Sequence, residues 1–294
     1  MKQIFLIFFV VTISAAQQVS TGLSFLKLGI GARPIAMGES YTAIASDHAS
    51  LYYNPASLSF QDRNEIMLMH KQWIAETTTE YLGGTILGGA WDYGFSIMAT
   101  SVSGIEVRLR PGDAEGTFSA RNIAAGGSLS YRITENFAAG ISGKFLFEKI
   151  FIDEASGFGL DLGVSYRFDD HFSFGSSLLN LGSMNKMRNR ETEVPSTVRI
   201  GAAYTASVNE NITAVGAIDA VKTLHDDLMH FHSGFEVSYR HAASIRFGYQ
   251  TGYEFRTVAT GFGLQYASVM LDYAFVPFSG AFQSTHTLSL SFHL

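Results

Sequence analysis

The side chains best suited to chemistry in this 294-residue chain cluster at His225, Asp226, Asp227, His230 and His232, an imidazole and carboxylate set of the kind that ligates divalent metals. His230 and His232 share one face of a strand, but the spacing fixes no third and fourth ligand. A solvated loop running into a polar lumen accounts for the same residues, so no metal is expected. Gly29-Ile30-Gly31 has the start of a dinucleotide loop; no strand precedes it in a βαβ unit and Pro34 stands where a third glycine is needed, so no cofactor is expected either. No Gly-x-Ser-x-Gly elbow occurs and the nine histidines are scattered, which points to a non-enzymatic chain. Lys186, Arg188 and Arg190, interleaved with Met184 and Met187, form a basic loop suited to phosphates or an acidic partner.

The elements that must position these residues follow from periodicity. From Phe137 to Phe147 the odd positions Phe137, Ala139, Ile141, Gly143, Phe145 and Phe147 are apolar or small, and in Gly157–Phe168 the even positions Phe158, Leu160, Leu162, Val164, Tyr166 and Phe168 are apolar. That is period two, the signature of strands. Cutting at turn signals divides the chain into about fourteen strands, the first near 63–76 and the last near 284–294. One face carries Phe, Tyr, Leu and Val; the other mixes Gly and Ser with Lys144, Glu148, Asp161, Arg167, Glu236, Arg240 and Arg246, the contrast expected with lipid outside and a polar lumen inside. No stretch after Ile13 approaches the roughly 20 apolar residues of a spanning helix, so the all-β reading is a transmembrane antiparallel barrel. If its first strand starts in the periplasm, the short connections such as Gly89-Ala90 and His241-Ala242 follow even-numbered strands, and the long interruptions 104–116 and 182–194 fall outside the cell.

Lys2, the apolar run Ile4–Ile13 and Ser14-Ala15-Ala16 read as a cleaved signal peptide over 1–16, directing the chain to the cell outer membrane. The absence of cysteine excludes disulfides and thiolate zinc, and 26 acidic against 20 basic side chains argue against nucleic acid. Outer-membrane lipids and lipopolysaccharide are the expected surroundings.

Between leader and barrel, residues 17–61 are neither apolar run nor alternating strand, and they read as a plug within the lumen of the 62–294 barrel. Pro34 suits the first turn of a short helix, to which Ile35, Ala36, Gly38, Ala43, Ile44 and Ala45 give a slim surface. Asn54 before Pro55 suits a cap and first helical position, with a second turn running to Leu58. Arg33, Pro34, Gly38, Asp47, Asn54, Pro55 and Ala56 form the candidate plug motif.

The block GARPIAMGESYTAIASDHASLYYNPASL, residues 31–58, resembles the N-terminal block of the PorV/PorQ family of outer-membrane barrels, related to the long-chain fatty-acid transporter FadL. Leu178-Leu179-Asn180-Leu181-Gly182, then Glu193-Val194-Pro195 and Arg199–Tyr204, resembles the family's central block, and Thr285–Leu290 its closing block. The chain departs from the pattern at Glu39, where the family has a second glycine, at Thr287, where it has a basic residue, and at Leu294, where it often ends in Phe. The resemblance implies an accessory component of type IX secretion, docking a large translocon and secreted cargo. The FadL relation implies instead a transporter of hydrophobic small molecules, whose pocket Ile35, Met37, Tyr41, Tyr52 and Tyr53 would line.

Overall fold

The computed structural model describes residues 23–44, 47–108, 110, 112–188, 192–224, 226, 228–280 and 283–294. The leader expected over 1–16 lies outside them, as do Ala45, Arg190, His225 and Asp227. Alternation leaves each barrel segment one apolar face and one small or polar face, and fourteen such segments form strands. They are β1 (Glu65–Gln72), β2 (Thr77–Leu87), β3 (Trp91–Val107), β4 (Gly116–Arg132), β5 (Phe137–Ile150), β6 (Asp153–Arg167) and β7 (Phe172–Met184). Then follow β8 (Thr197–Asn209), β9 (Ile212–Thr223), β10 (His230–Tyr239), β11 (Ala243–Gln250), β12 (Val258–Tyr266), β13 (Val269–Val276) and β14 (Thr285–His293). Each strand pairs antiparallel with its sequence neighbours and β1 pairs with β14, so the barrel closes with no free edge.

Connections after even-numbered strands are short, and this rim is called the turn end; those after odd-numbered strands include 108–115 and 185–196 and make the loop end. Both long interruptions are shorter than the periodicity suggests, because β3 continues to Val107, β4 begins at Gly116 and β7 runs to Met184. The reason at β3 is a register shift between Val102 and Ile105, which breaks the period-two count without ending the strand. β3 and β4 have 17 residues each against 8 in β11 and β13, so the loop-end rim is raised on one side.

Large apolar side chains point away from the barrel, among them Phe158 (71% exposed) and Ile245 (69%), which water would not tolerate as a continuous belt. Trp91, Tyr131, Tyr166, Tyr204, Tyr239 and Tyr266 gather at the turn end as an aromatic girdle, with Trp91 and Tyr131 rings 4.5 Å apart. Among the described residues no helix is long and apolar enough to cross a membrane, so the strands are the membrane-crossing elements.

The lumen is occupied. Residues 23–44 and 47–61 fold inside it as a 3₁₀ turn (Ser24–Lys27), α1 (Ala32–Ala36), α2 (Ser50–Tyr53) and a 3₁₀ helix (Pro55–Phe60). The expected first helix is a single five-residue turn: Gly38 and Glu39 both take positive φ (64° and 59°), which turns the chain away before Ala43 and Ile44 can join it. Asn54 does cap the second segment, its Oδ1 accepting from Ala56 N at 3.1 Å with Pro55 in first position. Ala32, Ile35 and Ala36 pack against Ala259, Ala274 and Val276, small side chains that bring α1 against β12 and β13.

Candidate functional site

Among the described residues, the plug and the cavities beside it are where this fold would meet a permeant. Arg33, in α1, donates to Glu236 of β10 through Nε (2.8 Å) and Nη2 (2.6 Å), and through Nη1 to Asp47 Oδ2 (2.9 Å). One guanidinium thus ties both halves of the plug to the wall. Glu236 also accepts from Arg246 Nε, and Arg246 Nη1 donates to Asp272 at 2.6 Å, so the chain of charges runs across β10, β11 and β13. Asp47 accepts from the Tyr41 hydroxyl at 2.5 Å and from Ser50 N at 3.2 Å, holding the first turn of α2.

A second anchor lies across the lumen. Asp219 Oδ2, on β9, accepts from Tyr41 N and Thr42 N (both 3.1 Å), Thr42 Oγ1 (2.5 Å) and Arg199 Nη2 (2.9 Å). Arg199 donates further to Thr42 Oγ1 and the Glu39 carbonyl, and Arg256 donates to Glu39 Oε1 at 3.2 Å. Burial pushes the Glu39 carboxyl up, but the charges of Arg256, His232, Lys71 and Arg199 more than reverse this and hold it below the usual carboxylate value.

Asn54 Nδ2 donates to Thr42 O (3.0 Å) and to Val164 O of β6 (2.9 Å), while Pro55 and Ala56 lie buried against β5 and β6. The segment's exit is closed by Arg132 and Arg167, which donate to the Ser59 and Phe60 carbonyls and place their guanidinium carbons 5.5 and 4.5 Å from the Phe60 ring centre. The lumen glycines are the seat on which this plug rests. A Cβ on Gly248 would lie 2.0 Å from Gly38 N, one on Gly175 2.1 Å from Thr42 O, and one on Gly140 2.4 Å from Pro55 C.

The two larger cavities beside the plug lie at opposite ends of the barrel. At the turn end a space of about 430 Å³ is lined by Arg33, Asp47, Arg63, Arg167, Glu236 and His241, among others. At the loop end a space of about 360 Å³ is lined by Tyr52, Trp73, Tyr253, Phe255, Phe278 and the Glu39–Arg256 pair, with His230 and His232 on its β10 wall. Tyr253 stacks on His230 (centroids 4.1 Å, 14°) and its hydroxyl lies 3.2 Å from His232 Nε2. Trp73 meets Phe278 edge-on at 5.1 Å, with Lys71 Nζ 4.4 Å and Arg256 Cζ 5.5 Å from the indole centre. Lys27, Arg199, Asp226 and Glu254 also line it, so its size and rings suit a small aromatic molecule that bears polar groups.

The structure brings Arg33, Pro34, Gly38, Asp47, Asn54, Pro55 and Ala56 together in the lumen. Of the pocket expected from the FadL relation, Tyr52 lines the loop-end cavity, whereas Met37, Tyr41 and Tyr53 are fully buried in packing between plug and wall. His230 and His232 share the lumen face, yet no group of three metal-ligating side chains occurs among the described residues. In the basic loop Arg188 is exposed and pairs with Asp153 at 2.8 Å, while Arg190 lies outside the described residues. Sequence reasoning missed Arg199 and Asp219 as plug anchors and Asp272 as the wall partner of Arg246; the available signal was a lone charge inside otherwise apolar strand segments. Trp73, Tyr253, Phe255 and Phe278 left no such signal, since they converge from three separate loops.

His48 carries a pH dependence. Its Nε2 lies 2.9 Å from the Tyr81 hydroxyl, its N donates to Glu65 Oε2 at 3.0 Å, and Gly83 leaves it room on β2. Burial lowers its pKa to about 4, against the raising effect of Asp47. The folded value is below the unfolded one, so the contribution is fully present above about pH 6.5 and is lost as pH falls toward 4, at most roughly 3 kcal/mol. Wild-type protein should lose thermal stability over that window, and His48→Gln should flatten the slope; parallel curves for the two would remove His48 as the cause.

No curated protein matches the chain. Among solved structures it is similar to the P. putida toluene transporter TodX, at 14% identity over 90% of this chain and 99% of that one, with a TM-score of 0.62. It is also similar to the CymD monoaromatic hydrocarbon channel, at 13% identity over 94% and 99% of the two chains (TM-score 0.65), and to a Pseudomonas aeruginosa FadL homologue, at 11% over 87% and 96% (0.52). At these identities the likeness is one of fold, that of FadL-like outer-membrane barrels. Residues 11–149 match an uncharacterised protein family, UPF0164. With residues 88–294 matching its model, the chain belongs to the family of unknown function DUF5723.

Proposed function

We propose that the chain is a non-enzymatic outer-membrane barrel that takes a small aromatic molecule bearing polar groups into its loop-end cavity, with the plug as the barrier to onward passage. The observation that carries this is the aromatic cavity of about 360 Å³, floored by plug residues Glu39 and Tyr52 and opening at the rim expected to face outward. The channels and transporter with which it shares a fold are consistent with the reading, as is the lipid-facing barrel.

A second reading has its own support. The plug is pinned at both anchors by buried ion pairs, and the N-terminal block resembles PorV/PorQ proteins, so a permanently sealed barrel could serve type IX secretion by docking a translocon or cargo through its raised loop-end rim.

One experiment separates the two. The chain has two tryptophans, Trp73 in the cavity and Trp91 in the outer girdle, so Trp91→Phe protein reports on the cavity alone. Titration with p-cresol should quench that emission saturably, and Phe278→Ala should weaken the response several-fold. Absence of saturable quenching by p-cresol, together with retention of a much larger outer-membrane protein in mild detergent, would replace the transport reading with the docking one.

A further inference from the structure

The raised wall of β3 to β6 carries charges on its lipid-facing side. Odd-numbered residues of β4 point outward, as Ile123 and Tyr131 do, and Arg121 follows them; it is exposed and its side chain has no hydrogen bond or ion pair among the described residues. Strand register sets Arg121 directly opposite Ser101 on β3 and Lys149 on β5, and Lys149 opposite Glu154 on β6. Like charges facing each other across a strand pair repel, and Glu154, 3.5 Å from Lys149, offsets one of the two. An arginine and a lysine held side by side on a bilayer-facing wall call for an anion.

Height identifies its source. Arg121 lies ten residues along β4 from Tyr131 in the aromatic girdle, about 25 Å at about 3.3 Å per residue and a tilt near 40°, the thickness of the apolar band. Below it on the same face lie Ile123, Phe145, Phe147 and Phe158, a continuous apolar shelf. Acyl chains against that shelf bring a headgroup to the Arg121–Lys149 row.

We propose that Ser101, Arg121 and Lys149 form a recognition site for the phosphorylated sugar headgroup of an outer-leaflet glycolipid, with charge-assisted hydrogen bonds from Arg121 and Lys149 to one phosphate. It depends on the loop end facing outward and not on either reading of the lumen.

The test uses full-length protein stripped of lipid in detergent, and native mass spectrometry with lipid A carrying two phosphates or the same lipid after phosphatase treatment. Wild-type protein should retain the phosphorylated form roughly tenfold better or more. The double substitution R121Q/K149Q should abolish that preference with unchanged heat-modifiable mobility on gels, and E154Q should strengthen it. Equal retention of both lipids by wild-type protein, or a preference surviving in R121Q/K149Q, overturns the proposal. Displacement of the bound lipid by millimolar inorganic phosphate alone also overturns it, since the shelf would then contribute nothing.

Discussion

Glu236→Ala is expected to unseat the plug while the barrel stays closed. Glu236 accepts two hydrogen bonds from Arg33 and one from Arg246, so its removal leaves two buried guanidiniums without their shared carboxylate. Breaking a buried pair on one side costs about 3–5 kcal/mol, far more than the pair contributes over an apolar substitute. Asp47 and Asp272 still hold one nitrogen each, so the loss falls on the link between α1 and β10. The fourteen-strand ladder does not pass through that link. The measurements are amide exchange over residues 29–61 and single-channel conductance in planar bilayers: both should rise, with far-UV circular dichroism unchanged. Glu236→Gln, which keeps acceptor capacity but no charge, should fall between. Conductance that stays at the wild-type level would mean that the Asp219 anchor alone seats the plug.

The second large effect comes from the seat itself. In Gly248→Ala the added methyl would lie 2.0 Å from Gly38 N and 2.5 Å from the Met37 carbonyl carbon, backbone atoms that no rotamer change can move. Overpacking of this kind costs about 1–3 kcal/mol. Gly216→Ala is the matched control, also in a strand but with nothing within 4 Å of the added carbon. Gly248→Ala should raise exchange across Gly38 and Glu39 and open a conductance, and Gly216→Ala should do neither. If both variants behave alike, close packing against Gly248 is not what seats the plug.

Together these substitutions bear on why the plug has its sequence. Glu39 sits at φ 59°, where the resembling family has a glycine, and the strain is offset by its ion pair with Arg256 at the cavity floor. The same residue therefore shapes the turn that ends α1 and puts a charge beneath the aromatic cavity.

What the sequence determined by itself was the barrel: the number of strands, which residues face lipid, and which rim carries the long connections. Period two is a local property, legible along one strand at a time, and closure follows because a strand edge in lipid has no partner. The plug was legible as a segment that does not alternate, and Asn54-Pro55 as a capped turn, because both depend on neighbours in the chain. Only the tertiary structure decided what the polar face of the wall is for. Gly140, Gly175 and Gly248 carry no local mark that sets them apart from other lumen glycines, yet they are where the plug backbone lies against the wall. Asp219 and Arg199 carry no local mark of their role and anchor the plug. Trp73, Tyr253 and Phe278 come from three different loops, and closure of the barrel sets them around one cavity. Such relations join residues more than two hundred positions apart, Arg33 with Glu236 among them, and distance in space across a closed cylinder is not encoded in any local pattern.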